Sequence, residues 1–236
     1  MRINRPEHPG PRPGPWVQIL LPADRGRARR TLYMLDGRGV PENASSWTQH
    51  GHAVEFFADK DLNVVLTTGG PTNLYTDWQR RDPVLTPGLY SVVAAHSGCY
   101  TVASGAGQAQ ARAIVKTYGG DPDNMFGTLA DLDWRAHDVL THAQALRGTR
   151  IYLSSGSGIP GERDVPGQVE LPVAITIGGS LETGAHECAR AFATRLTQLQ
   201  VPATLNLRPA GTHSWPYWTD ELSRPWPTNT KALCTR

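Results

Sequence analysis

Six short apolar runs, set between stretches of a different rhythm, constrain this chain more than any other feature. They are WVQILLP (16–22), TLYMLDG (31–37), LNVVLTTGG (62–70), LYSVVAAHSG (89–98), TRIYLSSGSG (149–158) and ATLNLRP (203–209). All are rich in Val, Ile, Leu or Tyr, and most end in Gly, Ser, Asp or Asn. Runs of that length bounded by turn formers read as buried strands. Helical patterns fall between them, at 49–58, at 107–118 and, most clearly, at 184–200. In the last, Ala185, Cys188, Phe192, Leu196 and Leu199 share one stripe. Strands alternating with helices predict an α/β fold with a mostly parallel sheet flanked by helices. The 236 residues suit one domain, 1–236, with a single core and no internal repeat. The proline-rich lead-in, 1–15, is expected to fray.

One connection breaks the rhythm. After the strand at 62–68 comes PTNLYTDWQRRDPVLTPG, and then the next strand. Parallel neighbours need a crossover of a dozen or more residues, usually helical. This link holds three prolines, a glycine and no helical stripe. Either the two strands are not parallel neighbours, or an element that belongs between them is missing.

Composition narrows the function. The net charge is +2 and the densest basic run, Arg25 to Arg30, reads as a solvated loop, so nucleic acid is not an expected partner. No apolar run approaches the ~18 residues that span a bilayer. The N-terminus has no apolar core of a signal peptide. Three cysteines, Cys99, Cys188 and Cys234, are too few for a disulfide scaffold; they leave open free buried thiols or one bridge and a spare. His50 with His52, and His137 with His142, lack the spacing and partners of a metal site. No phosphate loop or dinucleotide fingerprint occurs, so neither metal nor cofactor is expected.

The chemistry concentrates near the C-terminus. His213 stands in the turn of GTHSWPYW (211–218), backed by Trp215, Tyr217 and Trp218. It suits a general base, although a histidine in such a turn also serves as a structural anchor. The aromatics suit a wall for a sugar or acyl chain, and equally a core. Glu187, in the first turn of the long helical pattern, is the expected partner of the imidazole, while a carboxylate there also complements the helix dipole. Acid followed by histidine fits the last two places of an α/β-hydrolase triad, whose nucleophile comes first. No serine or cysteine satisfies the G-x-S-x-G elbow. Ser97 and Ser157 end strands but lead into loops, and Ser180 follows a further strand-like run too late in the order. LDGRG (35–39) ends a strand in a tight turn whose backbone N–H suits an oxyanion.

Together these motifs resemble the secreted mycolyltransferases of mycolic-acid bacteria, the antigen 85-type acyltransferases and esterases. The resemblance rests on TLYMLDG, on the segment from SSWTQHGHAVEFF through TTGGPTNLYTDW, on DNMFGTLADLDWRAHDVL, and on IYLSSGSGIPG, HECARAFATRL and GTHSWPYW, in family order. It implies an α/β-hydrolase fold and acyl transfer through a serine ester to trehalose or a trehalose mycolate. It places Glu187 as triad acid and His213 as base, with the Arg38 N–H in the oxyanion hole. Asp36 falls at the sugar site and Trp215 beside the substrate path. An extracellular or cell-envelope location follows, and with it a Cys99–Cys188 disulfide.

Two departures matter. An arginine of the family's LDGLR turn falls on Gly39. The nucleophile elbow belongs between Trp78 and Leu89, the anomalous link, and a strand, elbow and two helices would need roughly forty residues there. The expectation is an internally shortened family member without its nucleophile and without activity. Its rivals are a non-catalytic carbohydrate- or matrix-binding protein of the same fold, and an esterase using an unorthodox serine.

Overall fold

A computed structural model of the chain describes residues 2–4, 17–37, 44–68, 91–165 and 171–227. The lead-in at 5–16, Arg38 and Gly39, the link at 69–90 and Cys234 lie outside the described residues. Contacts divide the chain into two compact units, 1–84 with 112–125, and 85–111 with 126–236.

The first unit holds a four-stranded sheet in the order β1 (Arg2–Asn4), β2 (Val17–Leu21), β4 (Asn63–Thr67), β3 (Thr31–Leu35). β1 and β4 each run antiparallel to β2, and β3 lies parallel to β4. Alternation decides which faces are buried. Val64 and Leu66 of β4 are fully buried, and Leu20 and Met34 stand beside them in register. The crossover from β3 to β4 carries two short helices, α1 (Ser46–Gln49) and α2 (Ala53–Phe57). α1 starts at an N-cap, Ser45, whose side chain accepts the Trp47 N–H at 3.2 Å.

The second unit holds a parallel sheet in the order β5 (Val92–His96), β6 (Arg150–Ser155), β7 (Ala203–Leu207). Helix α3 (Gly105–Thr117) follows β5, with its second half in the first unit. Short helices α4 (Asp123–Phe126) and α5 (Asp133–Ala136) come next. α6 (Leu171–Val173) and a wider turn over 174–178 lead into α7 (Gly179–Gln198), and α8 (Trp215–Ser223) closes the unit. The strand period assigns the two faces of this sheet. Ile151 and Leu153 of β6 pack with Ala189, Phe192 and Leu196 of α7 and with Tyr100. On the other face Tyr152 and Asn206 reach Glu221 of α8.

All six expected strands form, each within a few residues of its predicted limits. The long helix begins earlier than its pattern suggested, and the apolar run before Ser180 is helical rather than a strand. Val173, Ile175 and Ile177 on it are exposed. Their β-branched side chains favour a strand, but no sheet edge recruits them, and the turn continues into α7. The segment after His213, expected as a turn with an aromatic wall, is helix α8. Pro216 lies in its first turn, where a missing N–H costs nothing.

Cys99 and Cys188 form a disulfide, joining the loop after β5 to the middle of α7 across 89 residues of sequence. Reducing it should lower the unfolding free energy by ~2–4 kcal/mol. Denaturant melts with and without a phosphine reductant measure this, and a Cys99→Ser, Cys188→Ser double variant should be insensitive to the reductant.

Candidate functional site

His213 is held in the second unit by a carboxylate, but not the expected one. Its Nδ1 lies 2.8 Å from Oε2 of Glu182, and its backbone N–H donates to Gly178 O at 3.2 Å. The assignment of Glu187 to this role is overturned. Five residues on, at about 100° per residue, Glu187 points some 140° away around α7. It is exposed in an open groove of about 920 Å³ that also touches Ser104, Gln110 and Leu140. Glu182 instead shares the inward stripe of Ala185, Ala189, Phe192 and Leu196 and is fully buried. The signal was present: a carboxylate in phase with an apolar stripe. The strand-like composition of the run before Ser180 puts the apparent start of the helix at Gly184, which leaves Glu182 outside it.

A buried carboxylate must find donors, and Glu182 has three. Oε2 takes His213, while Oε1 accepts the Gly156 N–H at 2.6 Å and the Ser97 hydroxyl at 2.7 Å. Arg208 Nη2 stands 4.0 Å from Oε1. Nδ1 being engaged, Nε2 is the imidazole nitrogen left to meet a substrate. Trp218 stands edge-on to the ring at 4.7 Å, and Trp215 packs against Trp218. Tyr217, the third aromatic of the expected wall, is buried instead, with its hydroxyl donating to Asp164 at 2.7 Å. Burial, then that bond, pushes its phenol up to about 12.

Glycines bring the loops that frame His213 into contact. A Cβ on Gly156 would meet Gly211 O at 2.3 Å, and Gly211 itself has a φ of +118°. Thr212 and Gly161 both bond Asp164, which fixes the turn ahead of His213.

Ser97 comes nearest to a nucleophile. It follows β5 on a sharp bend with φ +52°. Its hydroxyl donates to Glu182 and accepts the Trp218 indole N–H at 3.0 Å, so its proton faces the acid and not the base. Ser157 donates to Pro209 O and Ser180 to Thr176 O. Among the described residues, no hydroxyl or thiol is hydrogen-bonded to His213.

A second buried acid lies on the other face of the sheet. Glu221 of α8, fully buried, accepts from Tyr152 at 2.7 Å, Asn206 at 2.7 Å and Arg208 Nη1 at 2.6 Å. Sequence reasoning did not single it out, nor Arg208. His96, bonded through Nδ1 to Ser154 Oγ at 2.8 Å, is held neutral. Burial lowers it to about 4, with Glu221 opposing and Arg208 assisting.

Of the other expected residues, Asp36 lies in the first unit at the end of β3. It is buried, and its Oδ1 accepts from Ser45 Oγ at 3.2 Å and the Trp47 N–H at 3.3 Å. Burial raises it to about 6 despite those bonds.

No protein-family model matches the chain. Its relatives are nevertheless consistent. It is 22% identical to diacylglycerol acyltransferase/mycolyltransferase Ag85B of Mycobacterium avium over 84% of this chain and 74% of that protein. Among solved structures, MPT51 (FbpC1) of Mycobacterium tuberculosis superposes with a TM-score of 0.79 at 17% identity, covering 99% of each chain. A ferulic acid esterase superposes at 0.56 and 15% identity, over 92% of this chain and 93% of that one. The fold is that of the α/β-hydrolases.

The chain is similar to the antigen 85-type proteins in sequence and shares their fold.

The alignment with Ag85B also carries a length. It spans 251 positions, yet 84% of 236 residues is about 198, so roughly 50 positions are filled by the relative alone. This chain is shorter than its relative inside the region they share.

Two outcomes follow from the geometry. Glu182→Ala should cost about 3–5 kcal/mol, since it removes a buried charge and strips the Gly156 amide, the His213 imidazole and the Ser97 hydroxyl of their acceptor, whereas Glu187→Ala should stay within about 0.5 kcal/mol. Urea denaturation of both variants checks this, and a larger cost for Glu187 would reverse the assignment. Second, His96 is depressed in the folded state, so its contribution is complete above pH 6.5 and is lost as pH falls toward about 4. The unfolded chain takes up the proton first, and the loss is on the order of 3 kcal/mol when complete. Denaturation midpoints should begin to fall below pH 6.5, and His96→Gln should flatten that limb.

Proposed function

We propose that this chain keeps the acid–base half of a serine acyl-transfer site without the nucleophile, and therefore does not turn over esters. The acid–base pair it keeps is part of the acyl-transfer chemistry for which its acyltransferase/mycolyltransferase relatives are named. We infer that it binds trehalose, trehalose mycolates or related acyl lipids without transferring their acyl groups, in the cell envelope or outside the cell. The Cys99–Cys188 disulfide supports an oxidising compartment. Among the described residues no helix is long and apolar enough to cross a membrane.

In a complete site, His213 Nε2 would take the proton of an attacking hydroxyl, and Glu182 would hold the ring and stabilise the imidazolium through Nδ1. The observation that carries the proposal is that this pair is assembled on a buried carboxylate while no hydroxyl or thiol among the described residues is bonded to His213. The roughly 50 positions present only in Ag85B supply the room for a missing elbow. Loss of the nucleophile costs on the order of 10⁶ in rate. The backbone N–H of Arg38, the expected oxyanion donor, lies outside the described residues.

A second reading, a carbohydrate- or matrix-binding protein, is favoured by Trp215, which is only half-buried beside Trp218 and His213. The two readings are compatible, because a site without a nucleophile still has its walls.

A fluorophosphonate probe and a p-nitrophenyl ester test the main reading. No serine should be labelled, and ester turnover should fall at least about 10⁴-fold below that of Ag85B. Stoichiometric labelling of any serine in this chain would reject it. Calorimetric titration with trehalose tests the binding reading on the same sample.

A further inference from the structure

The groove of about 920 Å³ that holds Glu187 runs between the start of α3 and α7, and every residue lining it belongs to the second unit. The two helices approach at Gly184, where Gln110 Oε1 lies 3.8 Å from the place a Cβ would take. Cys188 lines this groove, while Cys99, its disulfide partner, does not. Thr101 lines it as well. Its Oγ1 stands 3.6 Å from Sγ of Cys99 and 3.6 Å from Sγ of Cys188. The Ser104 hydroxyl gives its proton to Thr101 O at 2.7 Å, so of these two hydroxyls it is Thr101 that has a proton to offer sulfur.

The charge of the groove has one sign. Among the described residues lining it are two carboxylates and no lysine, arginine or histidine. Asp138 is buried and engaged: Oδ1 accepts the Ala103 N–H at 3.2 Å, and Oδ2 accepts the Thr141 N–H at 2.9 Å and its hydroxyl at 2.6 Å. Glu187, next in sequence to Cys188, is exposed and has no hydrogen-bond or ion-pair partner among the described residues. A disulfide is opened by a thiolate at whichever sulfur can be reached, and it opens faster when the departing thiolate is stabilised. Beside Glu187 an incoming thiolate is repelled. A second negative charge on the same molecule adds to that repulsion, and an ammonium group offsets it.

We propose that Cys188 is a site of S-thiolation by a small aminothiol that enters this groove. The thiolate attacks Sγ of Cys188. A new S–S bond forms as the Cys99–Cys188 bond breaks, and the electron pair leaves on Sγ of Cys99. Thr101 Oγ1 donates a hydrogen bond to that departing sulfur, which then takes a proton from water. The exchange is redox-neutral: one thiolate is consumed and one is released. The ammonium group of the ligand pairs with Glu187. The product has lost the covalent tie that stands beside the Ser97–Glu182 hydrogen bond. Nothing in this exchange depends on whether the chain turns over esters.

The test uses the oxidised full chain with the Cys234 thiol capped beforehand, and two probes, cysteamine and mercaptoacetate. Each probe is calibrated against a small-molecule disulfide, so that intrinsic thiol reactivity is divided out. Samples taken without denaturant are quenched with excess maleimide and read by peptide mass spectrometry. Cysteamine should accumulate as a mixed disulfide on Cys188, with the maleimide on Cys99. It should react at least about threefold faster than mercaptoacetate at low ionic strength, and the preference should shrink in high salt. Glu187→Gln should bring the two probes to within about a factor of two of each other. Thr101→Val should slow the exchange about fivefold, and Thr101→Ser should restore it. Should Thr101→Val fail to melt cooperatively, the position of the adduct and the Glu187→Gln variant decide. Cysteamine found on Cys99, exchange that waits for unfolding, or a rate and a preference that ignore the substitutions at Thr101 and Glu187 overturns the proposal.

Discussion

The second unit is organised around one buried carboxylate. Glu182 reaches a position closed to water, and an anion there is tolerated only while fully bonded. Its three donors come from three separate segments: the bend after β5, the loop after β6 and the turn before α8. Satisfying one charge therefore fixes three loops at the same end of the sheet. The disulfide works on the same pair of elements. Cys99 lies two residues past Ser97 and Cys188 six residues past Glu182, so a covalent link and a hydrogen bond tie the β5 bend to α7 side by side.

This arrangement explains why part of the site was legible in the sequence and part was not. The six strands could be read because buried strands are short, apolar and closed by turn formers, and each of these properties is local. His213 could be read because GTHSW places it in a turn with aromatics behind it. Its partner is less legible. Choosing between Glu182 and Glu187 requires the phase of α7, and that phase depends on where the helix begins. The run LPVAITIG has the residue content of a strand, so a reading based on propensity begins the helix too late and sees only Glu187. The stripe of Ala185, Ala189, Phe192 and Leu196 carried the phase, and extending it back one turn reaches Glu182.

Helix α8 was hidden for a different reason. WPYWTDELS has a proline and three aromatics at its start, a composition that suggests a platform or a turn. The proline falls in the first turn, where it is harmless, and the helix is stabilised by what it buries: Tyr217 against Asp164, and Glu221 against Tyr152, Asn206 and Arg208. Those partners are distant in sequence, and nothing in the nine residues announces them.

Arg208 stands within reach of both interior acids, at 2.6 Å from Glu221 and 4.0 Å from Glu182. One cation thus stands between two anions that belong to different helices on opposite faces of a single sheet. Replacing either acid leaves the guanidinium paired one-to-one with the other, whereas replacing the guanidinium strands both. Glu182 therefore has a structural duty independent of any substrate, because the Ser97 hydroxyl, the Gly156 amide and the His213 imidazole all depend on it as acceptor.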